Sequence, residues 1–191
     1  MKNFLKYLEN FKETQIMVIG DIIADEFLIG RPERLSREAP VLILRRNNRK
    51  ILPGGAANAA YNISALRGNI KLSGVIGYDN IGERLKEILV EKNIDISGII
   101  KSDDRPTSLK TRVLAGGDQV VKQQIVRMDH LENKCISKKI EKKIFAKVKK
   151  YIDKVDGILL SDYGNGVLSS QLKYDIINFA RDHNTFTAVD S

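Results

Sequence analysis

The sequence predicts an α/β fold: a parallel sheet with helices on both faces, and a small second sheet set apart from it. Short apolar runs alternate with amphipathic helical stretches along most of the chain. The runs are continuous, as in Ile16-Met17-Val18-Ile19 and Ile158-Leu159-Leu160, which is the pattern of strands buried on both faces. Four further extended segments come in pairs with no helix between the members, so they belong to a separate, partly antiparallel sheet.

In chain order, Ile16–Ile19 is a buried strand ending in Gly20-Asp21, followed by extended segments over Glu26–Ile29 and Val41–Arg46. Pro53-Gly54-Gly55 breaks the chain and opens a helix over Ala56–Arg67. Strand Ile70–Ile76, helix Ile81–Glu91 and an extended stretch over Ile96–Ile100 come next. Strands Ser108–Ala115 and Val120–Met128 flank Gly116-Gly117-Asp118, a hairpin turn signal. Helix Ser137–Ile152, strand Gly157–Ser161, helix Ser169–Asp182 and strand Thr185–Asp190 complete the alternation. No repeat, low-complexity segment or linker divides the 191 residues, which read as one domain.

The composition bounds the function. At 42% hydrophobic the chain can bury a real core, and its one cysteine, Cys135, excludes an internal disulfide and fits a reducing, cytoplasmic setting. Met1 to Phe11 mixes Lys2, Lys6 and Glu9 with Phe4, Leu5 and Leu8, an amphipathic helix pattern and not a secretion signal, and no apolar run is long enough to span a membrane. The net charge of +8 raises nucleic acid as a partner. Most of the excess, however, lies between Ser137 and Lys154, where eight lysines stand against Glu141 and Asp153. There Ile136, Ile140, Ile144, Val148 and Ile152 recur at every fourth position, so the lysines form the solvated face of a core helix, and no aromatic platform accompanies them. No nucleic-acid partner is expected. His130 and His183 lack metal-ligand spacing and read as surface or packing residues.

Pro53-Gly54-Gly55-Ala56-Ala57-Asn58 carries the strongest functional signal. Glycines let a ligand approach the backbone, and the unpaired N–H groups of the helix's first turn suit an oxygen-rich ligand such as a sugar, with Gly54, Gly55 and Asn58 as its contacts. Asp21 and Asp25 emerge at the carboxyl end of the first strand, where open parallel sheets bind ligands. Asp25 is assigned to sugar hydroxyls and Asp21 to capping its own turn. The turn after this strand lacks the G-x-G-x-x-G pattern, which argues against a dinucleotide. Asp162, following Leu160-Ser161, also emerges at a strand end and is a site candidate, the alternative being a plain turn residue. Lys110 and Arg112 share a strand face with Arg127 on the returning strand, and three cations on one sheet suit an anion. The competing reading is an exposed charged face in which Arg127 pairs with Asp129.

These stretches, with Gly74-Val75-Ile76-Gly77-Tyr78-Asp79-Asn80-Ile81-Gly82, resemble the N-terminal part of ribokinase-like (PfkB) carbohydrate kinases. Within that family the likeness is greatest to bacterial heptose 7-phosphate kinases, the kinase part of the bifunctional enzyme that makes ADP-heptose for lipopolysaccharide core. It is carried by Arg34-Leu35-Ser36-Arg37-Glu38-Ala39-Pro40-Val41, Arg105-Pro106-Thr107-Ser108-Leu109-Lys110-Thr111-Arg112 and Leu160-Ser161-Asp162-Tyr163-Gly164-Asn165-Gly166. The resemblance implies a small β-sheet lid over residues 26–46 and 106–128, a homodimer through that lid, ATP and Mg²⁺ as cofactors, and phosphorylation of D-glycero-β-D-manno-heptose 7-phosphate at its anomeric hydroxyl. Lys110, Arg112 and Arg127, with Arg34 and Arg37 as weaker candidates, would then hold the sugar's phosphate. The family carries its Asn-x-x-Glu and Gly-Ala-Gly-Asp motifs further toward the C-terminus; Gly-Ala-Gly-Asp does not occur in these residues, so the resemblance puts the catalytic aspartate of that motif beyond Ser191 and leaves no catalytic residue to assign within the chain. The expectation is a domain truncated on its C-terminal side, without the nucleotide half, that binds sugar better than it phosphorylates it. A non-catalytic sugar-binding or dimerisation module, or a kinase for another sugar, is the alternative.

Overall fold

The computed structural model describes residues 9–117 and 121–191. After a single 3₁₀ turn at Phe11–Glu13 the elements run β1 (Gln15–Gly20), β2 (Ile22–Leu35), β3 (Leu42–Gly55), α1 (Ala56–Ala65), β4 (Asn69–Gly77), α2 (Asn80–Glu91) and β5 (Asp95–Ser102). Then come β6 (Ser108–Ala115), β7 (Gln123–His130), α3 (Lys138–Tyr151), β8 (Gly157–Ser161), α4 (Ser170–Asp182) and β9 (Phe186–Asp190). The expected N-terminal amphipathic helix up to residue 8, and Asp118 and Val120 of the expected hairpin, lie outside the described residues.

The central sheet has the order β5-β4-β1-β8-β9 and all its pairings are parallel. β1 lies in the middle, which is why its run is apolar throughout: Met17 and Ile19 face one core and Val18 the other, all three fully buried. The Met17 side is covered by α3 and α4 through Ile144, Val148, Leu172 and Ile176. The Val18 side is covered by α1 and α2 through Ala57, Ala60, Leu85 and Leu89. In α3 Ile140, Ile144 and Val148 are buried and most of the lysines are exposed, the arrangement expected of a solvated basic face. From β1 the chain proceeds outward to β4 and β5 on one side, and later to β8 and β9 on the other. The strand order therefore reverses between β1 and β8, the kind of switch point beyond whose strand ends open parallel sheets bind ligands.

The second sheet has the order β3-β2-β6-β7, with β2 parallel to β6 and the two outer pairs antiparallel. It grows directly out of the first: one residue, Asp21, separates β1 from β2, and β3 runs straight into α1. β2 and β3 are 14 residues each, much longer than the segments expected over Glu26–Ile29 and Val41–Arg46. Their outer halves have no sequence signature because Arg45-Arg46-Asn47-Asn48-Arg49-Lys50 lacks apolar alternation; backbone pairing with β2, irregular at Ile29/Gly30 and Pro32/Arg34, holds it extended in solvent. α1 ends at Ala65, short of the expected Arg67, because Arg67 takes a left-handed conformation that closes the helix. At the far edge of the central sheet, β9 leaves Phe186 and Val189 exposed, and Ser191 follows it as an exposed residue outside the ladder.

Candidate functional site

Asp21 organises the switch point between β1 and β8. Its carboxylate is buried, 1% exposed, and accepts three backbone N–H groups from the loop after β8: Tyr163 at 2.8 Å, Asn165 at 3.1 Å and Val167 at 3.1 Å. The expectation that Asp21 caps its own turn is thus corrected: the donors lie more than 140 residues away along the chain. A buried carboxylate needs such partners, and the tight loop leaves three amides converging on one point. The same loop needs Gly166, whose φ of +79° and contact with the Lys134 carbonyl leave no space for a Cβ.

Asp25 lies four residues on, in β2, opposite Leu52 of β3. A Cβ on Gly54 would stand 2.4 Å from its Oδ2, so the glycine is what admits the carboxylate at this point. Gly55, at φ +55°, turns the chain into α1 against the Asp21 carbonyl, which accepts the Ala56 N–H at 2.9 Å. The glycine pair thus locks the start of α1 onto the end of β1. Asn58 sits in the first turn of that helix with its side chain exposed.

Parallel pairing sets Asp25 beside Lys110 and Phe27 beside Arg112, and antiparallel pairing sets Arg112 opposite Arg127 and Lys110 opposite Asp129. Asp25, Lys110, Arg112 and Arg127 therefore share one face of the second sheet; residue spacing predicts this for Lys110 and Arg112, and strand pairing adds Arg127 and Asp25. Arg112 Nη1 contacts Asp25 Oδ1 at 2.5 Å, and its guanidinium lies over the Phe27 ring. Arg127 pairs with Asp129 at 2.9 Å, the partner named in the competing reading. Lys110 Nζ lies 5.9 Å from the centre of the Tyr163 ring. Five ionised groups thus leave one positive charge in excess on this face. On the opposite face the buried Glu26 is held by Thr111 Oγ1 and Arg49 Nε, both at 2.6 Å, tying β3, β2 and β6 together.

Asp162 accepts the Gly164 N–H at 3.1 Å and pairs with Lys173 of α4 at 2.6 Å. Burial raises its carboxyl pKa, but Lys173 and the Gly164 N–H outweigh this and hold it below the ordinary value. Of the two readings of Asp162, this geometry is that of the turn residue. Its neighbour Tyr163 is the residue that faces the second sheet, a role that the motif contains but that no acidic group marks. Two further architectural residues belong to the Arg105-Pro106-Thr107 stretch. Buried Arg105 donates through Nη2 to the carbonyls of Glu132 and Asn165, both at 2.6 Å. Thr107 gives its N–H to Asp79 at 2.8 Å and accepts the Gly77 N–H on its hydroxyl at 3.0 Å. Asp79 in turn caps α2 through the Gly82 N–H, so the strand entering the second sheet is fastened to the central one.

Among the described residues no group of three or more His, Cys, Asp or Glu is placed to hold a metal ion. Nor is any described helix long and apolar enough to cross a membrane.

The profile of the "pfkB family carbohydrate kinase" matches residues 13–182. Two curated relatives, both called bifunctional protein HldE, are similar over nearly the whole chain: one from Helicobacter pylori strain Shi470, 40% identical over 176 residues, and one from Aliarcobacter butzleri strain RM4018, 36% identical over 179. The aligned regions make up 92% and 94% of this chain and 37% of each relative. Among solved structures, a carbohydrate kinase from Agrobacterium tumefaciens superposes with a TM-score of 0.68 at 19% identity, covering 92% of this chain and 53% of that one. Phosphofructokinase-2 from Escherichia coli superposes with a TM-score of 0.66 at 16% identity, covering 93% and 54%. The two-sheet architecture is the ribokinase-like fold of these neighbours, and the chain belongs to the pfkB family of carbohydrate kinases.

Proposed function

We propose that these residues form the sugar-binding part of a kinase that phosphorylates D-glycero-β-D-manno-heptose 7-phosphate at its anomeric hydroxyl, on the route to ADP-heptose, with ATP and Mg²⁺ as cofactors. The observation that carries this reading is the shared face of Asp25, Lys110, Arg112 and Arg127, with Lys110 near Tyr163 of the β8 loop and Asp25 against the Gly54-Gly55 bend. Asp25 and Asn58 take sugar hydroxyls, and the glycine backbone allows the ring close approach. Arg112 and Arg127 face each other across the strand pair, each beside a carboxylate, and with Lys110 they leave one positive charge in excess to meet a phosphate, arginine by bidentate bonds and lysine as a point charge. The likeness to HldE proteins supports the heptose assignment within the class. No residue from Met1 to Ser191 is assigned as catalytic base, so the share of these residues in phosphoryl transfer is positioning the acceptor.

The second sheet is, in this reading, a lid that excludes water, and its apolar surface is a dimer contact in a cytoplasmic protein. Leu35, Val41 and Leu42 at one end and Ile125 and Met128 on β7 are exposed, a distribution that favours a partner surface. Calorimetric titration of the chain with heptose 7-phosphate and with the unphosphorylated heptose tests the assignment. Tighter binding of the phosphorylated sugar is expected, lost when Lys110, Arg112 and Arg127 are replaced together; no heat with either ligand overturns the reading. Light scattering should show a dimer that Met128→Glu dissociates.

A further inference from the structure

Resting on the sugar-phosphate reading, we propose that Tyr163 is a substrate-contacting residue of this site, the aromatic wall on which the sugar ring packs, and that it rather than Asp162 is the β8-loop side chain that selects the substrate.

Tyr163 stands where the strand order reverses, immediately beyond β8, at the strand ends that open parallel sheets use for ligands. It is 48% exposed, a large ring left out of both cores at that position. Its orientation is given by three contacts. The backbone N–H is fixed on the Asp21 carboxylate at 2.8 Å. The phenol oxygen lies 3.4 Å from Asp190 Oδ2 at the end of β9. Lys110 Nζ lies over the ring, 5.9 Å from its centre, so the face of the ring, not its edge, is turned toward the second sheet. That separation is at the outer limit of a cation–π contact and leaves the face open to a ligand.

Burial raises the phenol above its ordinary pKa, and the nearby Asp190 and Asp25 carboxylates act in the same direction, which places the ring within electrostatic reach of both sheets. Asp162, one residue earlier, is turned away onto Lys173 and Gly164. The C–H groups along one face of a pyranose carry slight positive charge and pack on the negative face of an aromatic ring. A sugar bound between Asp25 and Tyr163 would have hydroxyls on the carboxylate and its apolar face on the ring, with Lys110 moving from the ring to the phosphate. Because Asp21 holds the loop beforehand, little ordering remains to oppose binding.

The chain contains no tryptophan, so Tyr163→Trp introduces a single reporter indole into the full chain. Its emission is expected to shift on titration with heptose 7-phosphate, whereas Tyr174→Trp, on the exposed side of α4, stays unchanged. In calorimetry Tyr163→Phe should bind within a factor of about two of the native chain, Tyr163→Ala about tenfold more weakly, the scale of one aromatic contact. Asp162→Asn should leave affinity unaltered. If the native chain binds the sugar phosphate and Tyr163→Ala binds it equally well, or the indole at 163 is silent, the role of Tyr163 is overturned and the sugar-phosphate reading stands. If the native chain does not bind it, both are overturned.

Discussion

Arg112 of β6 reaches across to Asp25 of β2 and contacts its carboxylate at 2.5 Å, each side chain about a quarter exposed. The pair joins the residue assigned to sugar hydroxyls to a residue assigned to the phosphate, so the two halves of the ligand would be read by groups already in contact. A carboxylate oriented by a guanidinium keeps its second oxygen available as an acceptor. The pair also presents its groups on the parallel-paired strands β2 and β6, a stiffer support than a loop.

Replacing either member should therefore affect binding in a coupled way. Asp25→Ala is expected to weaken heptose 7-phosphate binding by roughly 1.5–3 kcal/mol, the range for hydrogen bonds to a charged group. Arg112→Ala should lose affinity for the phosphorylated sugar more than for the free one. A calorimetric double-mutant cycle should return a coupling of at least ~0.5 kcal/mol; additive losses would show that the two act separately.

The two glycines of the bend should fail differently. At Gly54 an added methyl meets the movable end of Asp25, so Gly54→Ala is expected to displace that carboxylate and reduce sugar affinity while the fold survives. At Gly55 the methyl meets the Asp21 backbone in a left-handed conformation, so Gly55→Ala is expected to cost more than ~1 kcal/mol of stability. Urea denaturation and sugar titration of both variants separate the effects; equal stability losses would contradict the distinction.

Asp21→Ala leaves three N–H groups of the β8 loop without their acceptor. With unpaired buried donors costing about 1–3 kcal/mol each and partial relaxation of the loop, a loss of roughly 3 kcal/mol is expected in denaturant unfolding. A change below ~1 kcal/mol would show that water replaces the carboxylate freely.

Acid should loosen the joint between the sheets. Burial alone raises the Asp79 carboxyl, but the N–H groups of Thr107 and Gly82 with the Thr107 hydroxyl outweigh it and hold the pKa below 3.8. A carboxyl depressed in the folded state contributes stability that is complete above its unfolded value and is lost as pH falls through the folded one. Denaturation midpoints taken from about pH 6 down to about pH 2 should fall for the native chain. The fall should be shallower for Asp79→Asn, which should also cost about 1 kcal/mol at neutral pH as a weakened helix cap. Parallel pH profiles for the two proteins would rule out this contribution.

Periodicity and glycine placement are local properties, and they determined the alternation of strands and helices, the basic outer face of α3 and the position of the Pro53-Gly54-Gly55 bend. Residue spacing in strands is local too, and the two-residue period alone puts Lys110 and Arg112 on one face, with Arg127 on the returning strand. The outer halves of β2 and β3 escaped because a polar, solvent-held ladder has no hydrophobic signature. Side-chain partnership was decided only by tertiary structure. Asp21 holds a loop more than 140 residues away, Asp162 turns to Lys173, Arg112 meets Asp25 across a parallel strand pair, and the Tyr163 ring comes to lie beneath Lys110 of the second sheet. A carboxylate's role follows from which donors surround it, and those donors come from distant segments that only the packed sheets bring together.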